Sequence, residues 1–210
     1  MNQDEFRRMT RARPYDRDAA LEAAMGLFWR NGYHATSLKD LEAALSMKPG
    51  SIYAAFTSKE ALFLLALERY FERGRDAFRT KMAHAVSPLD ALAGHLRDLA
   101  SEDFSDAGQC ACMLVKTLLN AAPEDVVIRG AAQDYLDALR EDMADVFERA
   151  IMRNELPRGT DTARLARLYQ ADVIQLRIEA QRGVAGAELA ALAEDMSQRL
   201  IGLRADVFTA

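Results

Sequence analysis

The chain predicts an all-α fold, with an N-terminal three-helix helix-turn-helix domain followed by a larger helical domain. Three observations carry this. Apolar residues recur at spacings of three and four along most of the 210 residues. No segment sustains the alternation of a half-buried strand. Helix caps and breakers, such as Ser37, Pro49, Ser87-Pro88 and Pro157-Arg158-Gly159, fall between the apolar runs.

The first helix is predicted over 16–31, with Ala20 or Leu21, Ala24, Met25 and Phe28 on its core face and Gly32 as its stop. In the next segment Ser37 can accept from the Asp40 N–H while Asp40 reaches back, a capping box. Leu38, Leu41, Ala44 and Leu45 share one face of that helix, and Ser46-Met47-Lys48 breaks it. Pro49 suits the first position of the third helix, where its missing N–H costs nothing. That helix runs to about 55, with Ile52 and Phe56 as buried anchors. Thr57 with Glu60 reads as a second capping box, opening a long fourth helix over 59–85. Ser87-Pro88 opens a fifth to about 104, 105–108 is a loop, and a sixth covers 112–121. Pro123 opens a seventh helix to about 154, and an eighth (161–182) and ninth (187–206) complete the order.

The stretch 37–56 is therefore a short capped helix, a three-residue turn and a second short helix with Lys48, Ser51 and Tyr53 exposed. That is a helix-turn-helix, whose second helix is the one expected to enter a DNA major groove. Charge supports the reading. The formal net charge is −5, yet 7–17 carries five arginines (Arg7, Arg8, Arg11, Arg13, Arg17) against Asp16, a local balance of +4. A basic arm beside a helix-turn-helix, on an acidic body, attracts phosphates where the body repels them.

Residues 16–70 resemble the N-terminal domain of TetR-type transcriptional regulators. The matching features are Phe28 and Gly32-Tyr33 ending the first helix, Thr36-Ser37 opening the second, Gly50-Ser51-Ile52-Tyr53 in the third, and Phe56 and Ser58-Lys59-Glu60 leading into the fourth. The resemblance implies a dimeric, ligand-responsive repressor that binds a palindromic double-stranded DNA operator and an unidentified small-molecule effector, without a cofactor. The expected division is a basic arm (1–13), a DNA-binding domain (14–74) and an effector-binding and dimerisation domain (75–210).

Within that reading Lys48 contacts phosphate, Gly50 admits close backbone approach, Ser51 donates to a base edge or phosphate, and Tyr53 resembles a family tyrosine that reaches phosphate. Thr36, Ser37, Lys39 and Lys59 are further backbone contacts. Positions 54 and 55 are alanine where family members often carry aromatic or histidine side chains. Alanine can touch only a thymine methyl, so base reading falls to Lys39, Pro49, Ser51 and the arginine arm.

The effector pocket is expected among the fourth to eighth helices. Asp172, Gln175 and Glu179 share one face of the eighth and are its candidate polar lining, and Phe104, Tyr135, Phe147 and Tyr169 are candidate aromatic lining; residues of each kind are more often ordinary core or a solvated stripe than ligand contacts. If Asp172 and Glu179 face the pocket, a cationic or hydrogen-bond-donating ligand fits better than an anion. Cys112 opens the sixth helix, where free N–H groups favour a thiolate and Lys116 lies one turn on, so a thiol-based sensor or thiol enzyme centred on Cys112 is the alternative function. A Cys110–Cys112 bridge is disfavoured, because residues two apart on a helix diverge.

The last two helices are apolar on more than one side, and a four-helix bundle from two copies would cover them. Val173, Leu176, Leu192, Met196 and Leu200 are its candidate contacts; the alternative is cover by the fourth and seventh helices of the same chain.

Other classes fare poorly. His34, His84 and His95 lack metal-ligand spacing, and no metalloprotease motif, nucleophile elbow or phosphate loop occurs, so no enzyme is expected. No apolar run is long enough to span a bilayer, and the polar, basic N-terminus is no export signal, which predicts a cytoplasmic protein without a membrane partner.

Overall fold

The computed structural model describes residues 16–101 and 111–204. Among these it contains nine helices and no strand: α1 (Arg17–Asn31), α2 (Leu38–Leu45), α3 (Pro49–Phe56), α4 (Lys59–Ala83), α5 (Pro88–Ser101), α6 (Met113–Asn120), α7 (Val126–Met152), α8 (Thr162–Gln181) and α9 (Gly186–Ile201).

The caps explain most boundaries. Asp16 accepts from the N–H groups of Asp18 and Ala19 to start α1, and Gly32 ends it at a positive φ of 81°. Ser37 and Asp40 form the expected capping box. Three cap readings are corrected. Ser58, not Thr57, caps α4 by accepting from Ala61 N–H, while Thr57 closes α3 at φ 68°. Pro123 lies in the turn before α7, whose N-cap is Asp125. Cys112 is the N-cap of α6 rather than its first residue.

Two apolar cores are built on these helices. One gathers Ala24, Phe28, Leu41, Ile52, Phe56, Leu62 and Phe63 of α1–α4, and it extends to Met113 and Leu114 of α6 and Ile128 of α7. The other joins the second half of α4 to α5, α7, α8 and α9 around Leu92, Leu96, Phe147 and Tyr169. The expected division at 74/75 falls inside α4, which passes without interruption from one core to the other.

Small residues set the packing of α9. Ala93, Ala193 and Ser197 are all fully buried, which lets α9 lie against α5 closely enough for Ser197 Oγ to donate to the Ala93 carbonyl at 3.0 Å. Arg97 and Glu194 pair along the same seam. The apolar face of α9 is thus covered by α5, not by α4 or α7. This corrects three of the expected intersubunit contacts. Leu176, Met196 and Leu200 are buried inside the chain, and Val173 and Leu192 pack against the same core.

Between α4 and α7, Asp142 is buried and receives hydrogen bonds from Arg75 and Arg79 at 2.6–3.0 Å. Burial pushes its carboxyl up, but the two guanidinium groups prevail and hold it below the usual range. Asp142→Ala is expected to cost about 2 kcal/mol in urea denaturation, short of a fully buried network because Arg79 is half exposed. A carboxyl with a lowered folded pKa contributes fully above its unfolded value of about 4, and the contribution is lost as pH falls through the folded value. Parent and variant stabilities should therefore converge in acid.

Candidate functional site

The turn between α2 and α3 is three residues long, and Ser46 enters it in the left-handed region at φ 52°. Pro49 takes the first position of α3 after Lys48, whose extended backbone leads into it. Ile52 and Phe56 are buried beneath, so the opposite face of α3 is turned outward. Lys48, Gly50, Ser51 and Tyr53 all lie on that exposed surface, Tyr53 at 46% of its full accessibility. Pro49 is half-buried. Ala54 joins the outward face as a methyl. Ser37 and Lys39 are exposed at the start of α2, though the Ser37 hydroxyl is occupied by the Asp40 carboxylate.

Two of the residues expected to touch DNA are placed otherwise engaged. Thr36 is fully buried, and its hydroxyl donates to the Gly32 carbonyl at 2.7 Å; it ties the end of α1 to the start of α2 and offers no hydroxyl to a phosphate. Lys59 is half-buried, with its ammonium 4.5 Å from the centre of the Tyr33 ring, and burial lowers its pKa. Arg17 packs over Phe56. The rest of the basic arm lies outside the described residues.

A cavity of about 510 Å³ opens between α1, α4, α5, α6, α7 and α8, within the roughly 300–1,000 Å³ usual for small-molecule sites. Its wall is mostly apolar and aromatic: Trp29, Phe71, Phe78, Leu99, Leu136, Leu139, Met143, Val173 and Ile174. Its polar groups are Tyr70, Lys81, His95, Asp98, Cys112, Gln170, Arg73 and Arg177. Lys81 pairs with Asp98, and Gln170 donates to the Leu136 carbonyl. His95 is pushed down to about 3, by burial first and then by Lys81 and Arg177, so its ring is neutral at pH 7. Tyr70 and Cys112 line the same part of the wall, and burial raises the pKa of the Tyr70 hydroxyl.

The expected lining fares unevenly. Cys112 is in the wall. Asp172, Gln175 and Glu179 are not: α8 presents Gln170, Val173, Ile174 and Arg177 to the cavity, which turns the acidic stripe away. Asp172 pairs with Arg199 of α9 and Glu179 with Arg182, and Gln175 is exposed. The conditional inference of a cationic or hydrogen-bond-donating ligand drawn from them therefore loses its premise. Phe147 is sealed in the core, and Tyr169 is buried with its hydroxyl donating to the Leu92 carbonyl beside His95. Tyr135 stacks on the Phe71 ring at 4.4 Å and lines a separate surface groove. Phe104 and Cys110 lie outside the described residues. The residues missed by sequence reading, Trp29, Tyr70, His95 and Arg177, carried no motif; their only signal was a large polar or aromatic group within an amphipathic helix.

The cavity wall and the end of α1 are joined by direct contacts. Trp29, near the end of α1, donates its indole N–H to the Ala111 carbonyl at 2.7 Å and meets the Tyr70 ring edge-on at 4.9 Å. Lys116 of α6 donates to the Trp29 and Arg30 carbonyls at 2.6 and 3.2 Å, neutralising the C-terminal end of α1. It therefore serves the end of α1. His34, beyond α1, pairs with Asp125 at 2.5 Å, ahead of α7.

Residues 20–66 match the family described as bacterial regulatory proteins, tetR family. The HTH-type transcriptional repressor ComR of Escherichia coli (strain K12) is 30% identical over 187 residues, covering 88% of this chain and 89% of that protein. A cysteine mutant of the TetR family transcriptional regulator CifR, solved in complex with 26-bp double-strand operator DNA, superposes with a TM-score of 0.82 at 30% identity, over 93% of this chain and all of that one. A TetR family regulator from Cytophaga hutchinsonii shares the fold, with a TM-score of 0.79 at 21% identity over 90% and 95% of the two chains.

Thr36 and Lys48 are expected to behave oppositely on substitution. Thr36→Val should lower stability by about 1 kcal/mol through the lost buried hydrogen bond, with DNA binding by the folded protein unchanged. Lys48→Ala should leave the melting temperature in place, weaken binding to all duplexes alike, and reduce the salt slope by about one unit.

Proposed function

This chain belongs to the TetR family of DNA-binding transcriptional regulators, and on that premise we propose that it acts as a two-fold dimer on a palindromic operator and is released by a small molecule entering the α4–α8 cavity. The observation that carries the DNA reading is the outward face of α3, where Lys48, Gly50, Ser51 and Tyr53 stand over buried Ile52 and Phe56. The DNA-bound CifR relative supports it. Contacts of this kind go largely to phosphate and fix register, and base reading then falls to Lys39, Pro49, Ser51 and the arginine arm.

The dimer is supported by a stripe along α8 and its C-cap that is exposed among the described residues. Arg164, Leu168, Ala171, Gln175, Ile178 and Arg182 are exposed at alternating spacings of four and three, the period of a helix seam. Leu168 and Ile178 expose 52% and 42% of their surface. On α9, exposed Ala187 and Ala191 give a smooth neighbouring surface. Half-sites of a palindrome lie roughly 34–36 Å apart, the spacing that two copies joined there have to match.

Coupling would run through the contacts between the end of α1 and the start of α6. A ligand pressed against Trp29 and Tyr70 displaces the start of α6, and Lys116 carries that displacement to the end of α1. The ligand then binds one spacing of the recognition helices better than the other, which is all that release requires.

A second reading, sensing through Cys112, is favoured by one observation: Cys112 lines the cavity together with Tyr70. Adduct formation there would act on the same α6 start. It predicts that iodoacetamide weakens operator binding and that Cys112→Ser abolishes the response; slow labelling with unchanged binding would leave the non-covalent reading alone.

Selection from random duplexes is expected to recover a palindrome bound with steep salt dependence; recovery of no enriched site would refute the operator reading. In sedimentation equilibrium, Leu168→Glu and Ile178→Glu should give folded monomers, because each places an unpaired charge in the seam. Leu200→Glu should instead unfold the chain, as Leu200 belongs to the internal core. Folded dimers from both α8 variants would move the interface elsewhere.

A further inference from the structure

A shallow groove of about 500 Å³ runs between the α3–α4 corner and the first turns of α7, on a different side of α4 from the effector cavity. Its floor is apolar, with Leu64 and Leu65 from α4 and Val127 and Ala131 from α7. Val127 leaves 59% of its surface uncovered, and Val126 beside it 68%. Exposed apolar surface gathered in one place marks a site where another segment packs. At the Tyr135 end the groove turns acidic. Glu68 lines it, and Glu72, one turn on, and Asp134 of α7 join Glu68 in acting on the Tyr135 hydroxyl. All three carboxylates are exposed.

The cations of the same helices are engaged elsewhere. Arg69 pairs with Asp18 and Glu22, Arg73 with Glu22, Arg75 with Asp142 and Arg140 with Asp137. Arg129 donates to the Ala121 and Ala122 carbonyls. Among the described residues Glu68, Glu72 and Asp134 therefore form no ion pair. The other end of the groove is where the basic arm joins the fold. Arg17, the first residue of α1, lines it with its guanidinium over the Phe56 ring, so the residues before Asp16 meet the fold at the groove's rim. From Ala61 to Glu72, α4 advances roughly 17 Å, a distance that about five residues of extended chain span. Residues 7–13 are thus within reach of all three carboxylates. They carry Arg7, Arg8, Arg11 and Arg13, with Met9 and Ala12 between them, so they match the acids in charge and the floor in polarity.

We propose that, without DNA, the basic arm docks in this groove of its own chain, its arginines toward Glu68, Glu72 and Asp134 and Met9 on the Leu64–Val127 floor, and that DNA phosphates compete for the same arginines. A short tether gives the arm a high effective concentration at the groove, so individually weak, exposed charge pairs are enough to hold it. Arginines held there are withdrawn from phosphate, whose attraction for them falls with salt. The competition lowers affinity for every duplex, and lasting binding is left to those that α3 also recognises. The docking itself needs no DNA; its effect on DNA binding rests on the function proposed above.

Trypsin tests the docking on the full-length protein without DNA. Cleavage after Arg7, Arg8 and Arg11 is expected to be slower by about threefold or more than in a synthetic peptide of residues 1–15, because only the undocked arm is cut. Glu68→Gln with Glu72→Gln should restore the peptide's rate, and so should Val127→Lys, which places a like charge on the floor. Asp145→Asn with Asp195→Asn removes as much charge from exposed positions on α7 and α9 outside the groove lining, and should leave cleavage slow. Wild-type cleavage at the peptide's rate, or slow cleavage kept by both groove variants, would overturn the proposal. Slowing that appears only as protein concentration rises would put another copy's arm in the groove and overturn the intramolecular form. On a mixed-sequence duplex at fixed salt, the Glu68→Gln/Glu72→Gln protein should bind about threefold or more tightly than the Asp145→Asn/Asp195→Asn protein of equal net charge. Equal affinities, with wild-type protection intact, would overturn the competition and leave the docking standing. Absence of duplex binding in every form, wild type included, would refute the DNA reading, while the trypsin result still decides the docking.

Discussion

The indole N–H of Trp29, donated to the Ala111 carbonyl, and the Trp29 carbonyl, receiving Lys116, hold the end of α1 to the start of α6. The same indole is part of the cavity wall. One residue thus belongs at once to the helix that supports the helix-turn-helix and to the chamber that a small molecule would fill. Because the interior is close-packed, a shift at such a place is transmitted through neighbouring helices rather than absorbed. The first core reinforces the link, since Met113, Leu114 and Ile128 of α6 and α7 are buried with Phe28 and Phe63.

Around that joint the chain divides its tasks between rigid and yielding parts. Asp142 with Arg75 and Arg79, and the Ala93–Ser197 seam of α5 and α9, fix the frame on the far side of the cavity. The α4 wall at Gly74 and Ala77 is open. Exposed Leu168 and Ile178 are left on α8, away from both the cavity and the DNA-facing surface. A recognition face, a chamber and an assembly face therefore occupy separate surfaces of one helical frame.

Local chemistry was legible in the sequence. Ser37 with Asp40, Pro49 after a three-residue turn, Gly32 at the end of α1, and Ile52 with Phe56 each depend on neighbours within a few positions, and each stands as read. The faces of α8 were not legible. Asp172, Gln175 and Glu179 do share a face, but spacing alone cannot say which neighbour that face meets; the choice was made by α7 and α5, which took the side carrying Gln170, Val173, Ile174 and Arg177. Leu176, Met196 and Leu200 misled for the same reason, since an apolar stripe is equally apolar whether a second copy or α5 covers it. Thr36 shows a subtler limit: a hydroxyl beside a helix start suits a phosphate, and only the fold reveals that the Gly32 carbonyl has claimed it.

Coupling between the recognition face and the cavity is reciprocal: if filling the cavity changes affinity for DNA, DNA must change the state of the cavity. Hydrogen exchange of the full-length protein with and without its operator duplex tests this with no effector in hand. Operator binding is expected to alter exchange not only across 33–59 but also at 111–120 and at the end of α1, where Trp29 and Lys116 meet. Changes confined to the helix-turn-helix, with 111–120 exchanging identically in both states, would contradict the coupling.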